Sequence, residues 1–125
     1  MSEDGMDAME KKVTLSWLLA FYGGTLTANQ REMARLHWEE DYSLTEIAEQ
    51  FSVSRQSVFD TVSRTEKQLE SLESKIGMLR MYRRMEEGLI ACQRELSQVR
   101  AHEADKKHLD AALSEISALL NQEEE

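Results

Sequence analysis

The chain has 125 residues, with no proline, five glycines and one cysteine; this limits it to one domain with or without an extension, and excludes a turn-rich sheet protein and a disulfide scaffold. A formal net charge of −9, with 31% charged and 41% hydrophobic residues, argues against a general nucleic-acid coat or a membrane-surface protein, yet leaves room for a modest core and a local binding face. Ala, Leu, Glu, Arg, Gln and Met far outnumber β-branched residues, so the expected class is all-α.

Acidic Glu3, Asp4 and Asp7 open the chain where a secretory signal would need positive charge, and residues 1–10 are expected to be a disordered acidic N-terminus. The spacing of Leu15, Leu18, Leu19 and Tyr22 predicts a first helix from about Lys11, ended by Gly23 and Gly24. Thr27 and Gln30 form a capping-box signature for a second helix reaching about Glu40, and Ser43 and Glu46 repeat it for a short helix ending near Phe51. Ser54 caps a fourth helix that meets no breaker before Gly77. Seven of the eight aromatic residues lie between Trp17 and Phe59, which places the core in the first half. Residues 11–77 thus form the expected folded head.

From Met78 the apolar positions Met78, Tyr82, Met85, Leu89, Cys92, Leu96 and Val99 step alternately by four and three, which is a heptad seam. The seam predicts a homodimer built by a coiled-coil-like association segment at 78–121, with Cys92 as a small apolar filler; a hairpin folded against Leu109, Leu113, Ile116 and Leu120 is the competing arrangement. The register fails at Glu103, Lys106 and Asp110, so the helix either breaks near 101–106 or stutters. Residues 122–125 are expected to be a solvated acidic tail.

Between Leu44 and Arg64 the sequence LTEIAEQFSVSRQSVFDTVSR has the pattern of a helix-turn-helix. Leu44, Ile47 and Phe51 give one apolar face and Val58 and Val62 the other; Ala48 allows close crossing, and Val53 is expected to plug the turn from beneath. Ser52 occupies the turn position where glycine is common. Arg55, Gln56, Phe59, Ser63, Arg64 and Lys67 form the candidate nucleic-acid-binding face, Arg55 and Gln56 at the opening turn of the second helix and Arg64 and Lys67 suited to phosphate. Asp60 and Glu66 offset the three cations, leaving +1 over 54–67. A helix-turn-helix serving protein docking or packing alone is the other reading.

FYGGTLT (Phe21 to Thr27), LTANQRE (Leu26 to Glu32), DYSLTEIAEQFSVSRQSVFD (Asp41 to Asp60) and RTEKQLE (Arg64 to Glu70) resemble the YlxM family of small bacterial helix-turn-helix proteins over about residues 11–90. The central stretch is more distantly similar to region four of sigma factors, which implies a DNA-facing second helix. The YlxM resemblance implies a regulatory or accessory role in the signal recognition particle pathway, with the particle's GTPase, its RNA or both as partners. Ser63 stands where the family tends to carry a basic residue. Glu39, Glu40, Asp41, Glu46 and Glu49 would then offer an acidic surface to the basic GTPase. A sequence-specific DNA-binding transcription regulator is the alternative.

Catalytic and cofactor chemistry is not expected. His102 and His108 are six apart, about 120° around a helix, whereas the zinc motif needs two histidines four apart on one face. His37, beside Leu36 and Trp38, reads as a partly buried packing residue. No glycine has the companions of a phosphate loop, and no run approaches the roughly 20 apolar residues of a membrane span. The expectation is a cytoplasmic, non-enzymatic protein without a cofactor or membrane insertion.

Overall fold

A computed structural model describes residues 7–121, which form helices α1 (Ala8–Tyr22), α2 (Ala28–Trp38), α3 (Leu44–Phe51), α4 (Arg55–Ile76), α5 (Met78–Ser97) and α6 (Glu103–Leu120). The all-α class is found, with no strand among the described residues. The chain divides into two compact units between Leu79 and Arg80. The expected tail at 122–125, and the first six residues of the expected disordered N-terminus, lie outside the described residues.

Capping chemistry sets the helix starts. The Asp7 carboxylate accepts the Glu10 N–H at 2.8 Å while that of Glu10 accepts the Asp7 N–H at 3.2 Å. This reciprocal cap starts α1 at Ala8 and corrects the expectation of a frayed segment through residue 10. The Thr27–Gln30 and Ser43–Glu46 boxes form as their spacing predicts. Helix α2 stops at Trp38, short of Glu40; Asp41 then takes a left-handed φ of 61°, and the Tyr42 N–H bonds the Leu36 carbonyl at 3.0 Å.

The first unit is built around α4, which packs against α1, α2 and α3. Ile47, Val58 and Leu69 are fully enclosed, with Leu15, Leu18 and Leu19 of α1 and Met33, Ala34 and Leu36 of α2 around them. One polar chain crosses this core. Gln30 accepts the Thr27 N–H through Oε1 and donates from Nε2 to Thr65 Oγ1 and Gln68 Oε1, each at 3.2 Å, while Thr65 donates to the Thr61 carbonyl at 2.7 Å. The residue that caps α2 therefore also ties it to α4, and the buried groups are satisfied.

Gly77, at φ 73°, ends α4 in a conformation that favours glycine. The first amides of α5 are then met by side chains. Tyr22 donates to Glu73 Oε1 at 2.8 Å and accepts the Met78 N–H at 3.1 Å, and the same Glu73 oxygen accepts the Leu79 N–H at 3.1 Å. Buried Leu79 completes the core.

In the second unit the chain leaves helix over 98–102, so the register fault is a break. Gln93 Nε2 donates to Ser117 Oγ at 3.1 Å, and Leu96 lines one cleft with Leu109 and Leu113. These contacts make α5 and α6 an antiparallel hairpin. Its half-buried positions include Leu89, Gln93 and Leu96 on α5 and Leu109, Leu113, Ile116, Ser117 and Leu120 on α6. Tyr82 is also half-buried, whereas Met85, Cys92 and Val99 are exposed, as is Met78 in the first unit. The seam is thus split lengthwise, and Cys92 is not the enclosed filler that its heptad position suggests. The seven-residue period sets a wide apolar stripe, and a single facing helix covers only part of its width.

Candidate nucleic-acid interface

The turn between α3 and α4 is made by Ser52, Val53 and Ser54. Ser52 lies in the left-handed region at φ 56°, ψ 45°; its N–H reaches the Glu49 carbonyl and the Val53 N–H reaches that of Ala48 at 3.0 Å. This six-to-one closure is the Schellman end of a helix, and explains why glycine suits the position. Val53 remains 41% exposed, which corrects its expected role beneath the turn. Ile47, Ala48 and Val58 on the two flanking helices are buried and Val53 is not.

Ser54 Oγ accepts the Ser57 N–H at 3.0 Å and fixes the first turn of α4. Gln56, Ser63, Arg64 and Lys67 then recur along the side of α4 opposite Val58, Val62, Thr65 and Leu69, with Phe59 on the flank and Arg55 at the tip. Arg55, Gln56, Arg64 and Lys67 are exposed, Phe59 is 49% exposed, and Ser63 is half-buried. Among the described residues none of the three cations forms an ion pair. They are carried on a helix anchored along its length by the core. A rigid rod with unpaired cations and a flat aromatic can meet phosphate with the former and a base face with Phe59.

Two electrostatic details were not legible from the charge count. Glu66, seven residues beyond Phe59 and so on the same flank of α4, is bonded to Lys11 of α1 at 3.0 Å, an interaction that raises the Lys11 pKa. With Lys11 counted beside Glu66, four cations stand against Asp60 and Glu66, a balance of +2 where the linear count over 54–67 gave +1. Asp60 Oδ1 in turn accepts a hydrogen bond from Gln56 Nε2 at 3.0 Å, which aims the amide. That pair was visible in principle as an i, i+4 spacing.

The expected acidic surface is largely occupied by internal partners. Glu39 accepts from Ser16 at 2.7 Å, Glu40 pairs with Arg35 at 3.1 Å and Asp41 with Lys12 at 2.6 Å. Lys12 holds the Asp41 carboxyl below its ordinary pKa. Glu46 is spent on the Ser43 N–H at 2.8 Å. Half-buried His37 presents Nδ1 to the Tyr42 carbonyl at 2.8 Å, in keeping with a packing role. Among the described residues no group of three His, Cys, Asp or Glu side chains could hold a metal, and no helix is long and apolar enough to cross a membrane.

Residues 9–111 match the model of the family UPF0122, described as "Putative helix-turn-helix protein, YlxM / p13 like". A UPF0122 protein of Geobacillus kaustophilus is 49% identical over 76 residues, 61% of this chain and 69% of its own. One from Listeria innocua is 46% identical over 77 residues, 62% of this chain and 70% of its own. A third, from Halalkalibacterium halodurans, is 35% identical over 111 residues, 89% of this chain and 98% of its own.

Proposed function

The chain belongs to the UPF0122 family of YlxM/p13-like helix-turn-helix proteins, and from that premise we propose that it is a non-enzymatic regulatory protein whose α4 face contacts nucleic acid, acting as an accessory of the signal recognition particle. The observation that carries the nucleic-acid part is the outward row of Arg55, Gln56, Phe59, Arg64 and Lys67 on a helix whose opposite side is locked in the core. Three cations imply weak, shallow electrostatics: with about 0.7 to 0.9 counterions released per phosphate, the logarithmic salt slope should be about −2 to −3. The family resemblance supports the particle as the place of action, with its RNA as the ligand of α4 and its GTPase as a neighbouring partner.

Titration of the purified protein into the reconstituted particle, following both complex formation and GTP hydrolysis, tests this reading. Binding that weakens with salt, and that the Arg55→Ala, Arg64→Ala double variant reduces with a slope shallower by roughly 1 to 2, is the expected result. Absence of binding to the particle's RNA and protein at tens of micromolar, with base-specific binding to duplex DNA instead, would assign the protein to transcriptional regulation.

A further inference from the structure

The hairpin of α5 and α6 encloses no core: α6 has no buried residue, and α5 contributes only Leu79, at its start. On α5, Met81, Met85, Gly88, Cys92, Glu95 and Val99 recur every three or four residues, displaced to one side of Leu89, Gln93 and Leu96. Met81 is 57%, Met85 60% and Val99 51% exposed. On α6 the exposed Leu119 is displaced in the same rotational sense from Leu113 and Leu120. Two antiparallel helices that face each other are related by a two-fold axis perpendicular to their plane, so equal displacements fall on the same side of the pair. One broad face of the hairpin is therefore apolar and uncovered. Two helices can bury a line of contact, and a second layer is needed to enclose a core.

From these positions we infer that this face is covered by a second copy of the chain, with α5 packed antiparallel on the second copy's α5 about a two-fold axis near position 90. Two features favour this occupant. Glu95 interrupts the apolar row, and Arg84 lies beside the row eleven residues earlier. An antiparallel two-fold places the Arg84 of each copy over the Glu95 of the other, so the row carries its own electrostatic complement. The centre of the row holds Gly88, and among the described residues nothing but its chain neighbours and its own helix's backbone lies within 4 Å of the place its Cβ would take. Among the described residues nothing therefore requires a glycine in mid-helix, where it costs roughly 0.5 to 1 kcal/mol relative to alanine. A helix crossing closely at that point does. This inference concerns the second unit and is independent of what α4 binds.

Sedimentation of the full chain over 0.5 to 200 micromolar tests it, with circular dichroism as the control for folding. The expected result is a monomer–dimer equilibrium, abolished by Met85→Glu without loss of helix. Arg84→Glu and Glu95→Arg should each weaken dimerisation by about tenfold, because both symmetric pairs become repulsive, and the double variant should recover most of that loss. Alkylation of Cys92, exposed in the single chain, should slow as protein concentration rises. A chain that stays monomeric throughout, a dimer that tolerates Met85→Glu, or charge reversals that fail to compensate would each overturn the assignment.

Discussion

The two units use apolar residues in opposite ways. Among the described residues the fifteen buried apolar side chains that form the core all fall at or before Leu79, although the hairpin beyond it has the more regular heptad spacing. In the first unit four helices surround one another, and the short side chain of Ala48 matters as much as the bulk of Leu69 because both fit a closed space. In the second, Leu89 and Leu113 lie on one line of contact and remain half-exposed. Regular spacing alone gives a helix a sticky side; enclosure requires further helices, from the same chain or another. The head can therefore be expected to hold a surface such as α4 rigid, while the hairpin leaves apolar side chains such as Met81, Met85 and Val99 uncovered.

The largest expected effect lies in the enclosed unit. Ile47→Ala should cost about 2 to 5 kcal/mol in urea unfolding, since the side chain is fully buried, while Leu113→Ala at submicromolar concentration should change that transition by less than about 1 kcal/mol. Comparable losses from the two substitutions would erase the contrast. At the end of the first unit, Tyr22→Phe removes the hydroxyl that links Glu73 to the first amide of α5. A cost of about 1 to 3 kcal/mol is expected, with faster hydrogen exchange at Met78 and Leu79.

Smaller effects sharpen the picture of the head. Ser52→Gly should stabilise it by up to about 1 kcal/mol by relieving the left-handed backbone, read as a higher thermal midpoint with α4 unchanged. Partial desolvation, and then the carboxylate of Glu66, hold the Glu70 pKa above its ordinary value. The folded state thus binds that proton more tightly than the unfolded chain, so this residue's contribution to stability improves as pH falls through the window just above the ordinary carboxylate range. Glu70→Gln should therefore stabilise the head slightly at neutral pH, by no more than about 0.5 kcal/mol because solvent screens this exposed site, and lose that advantage in mildly acidic buffer.

Much of the head was legible because its signals are local. Hydroxyl caps at Thr27, Ser43 and Ser54 and the glycine at position 77 each act within one turn of helix. Asp7 is not legible as a cap, because a carboxylate in an acidic segment reads as a solvated charge until its partner Glu10 is placed three residues on. The bond from Gln30 to Thr65, the pairing of Glu66 with Lys11 and the exposure of Val53 depend on which helices meet, which spacing does not encode. The candidate face on α4 follows from its helical period, but its charge balance does not, since the Lys11 that pairs with Glu66 comes from another helix.

The most direct test of the division between the units is nitrogen–proton chemical-shift mapping of the full chain during titration with the particle's RNA. Shifts should concentrate at Ser54–Lys67, including the Arg55 and Gln56 side chains, while α6 stays unperturbed and head core signals move little. Shifts concentrated on α5 and α6, with the α4 face silent, would contradict the account.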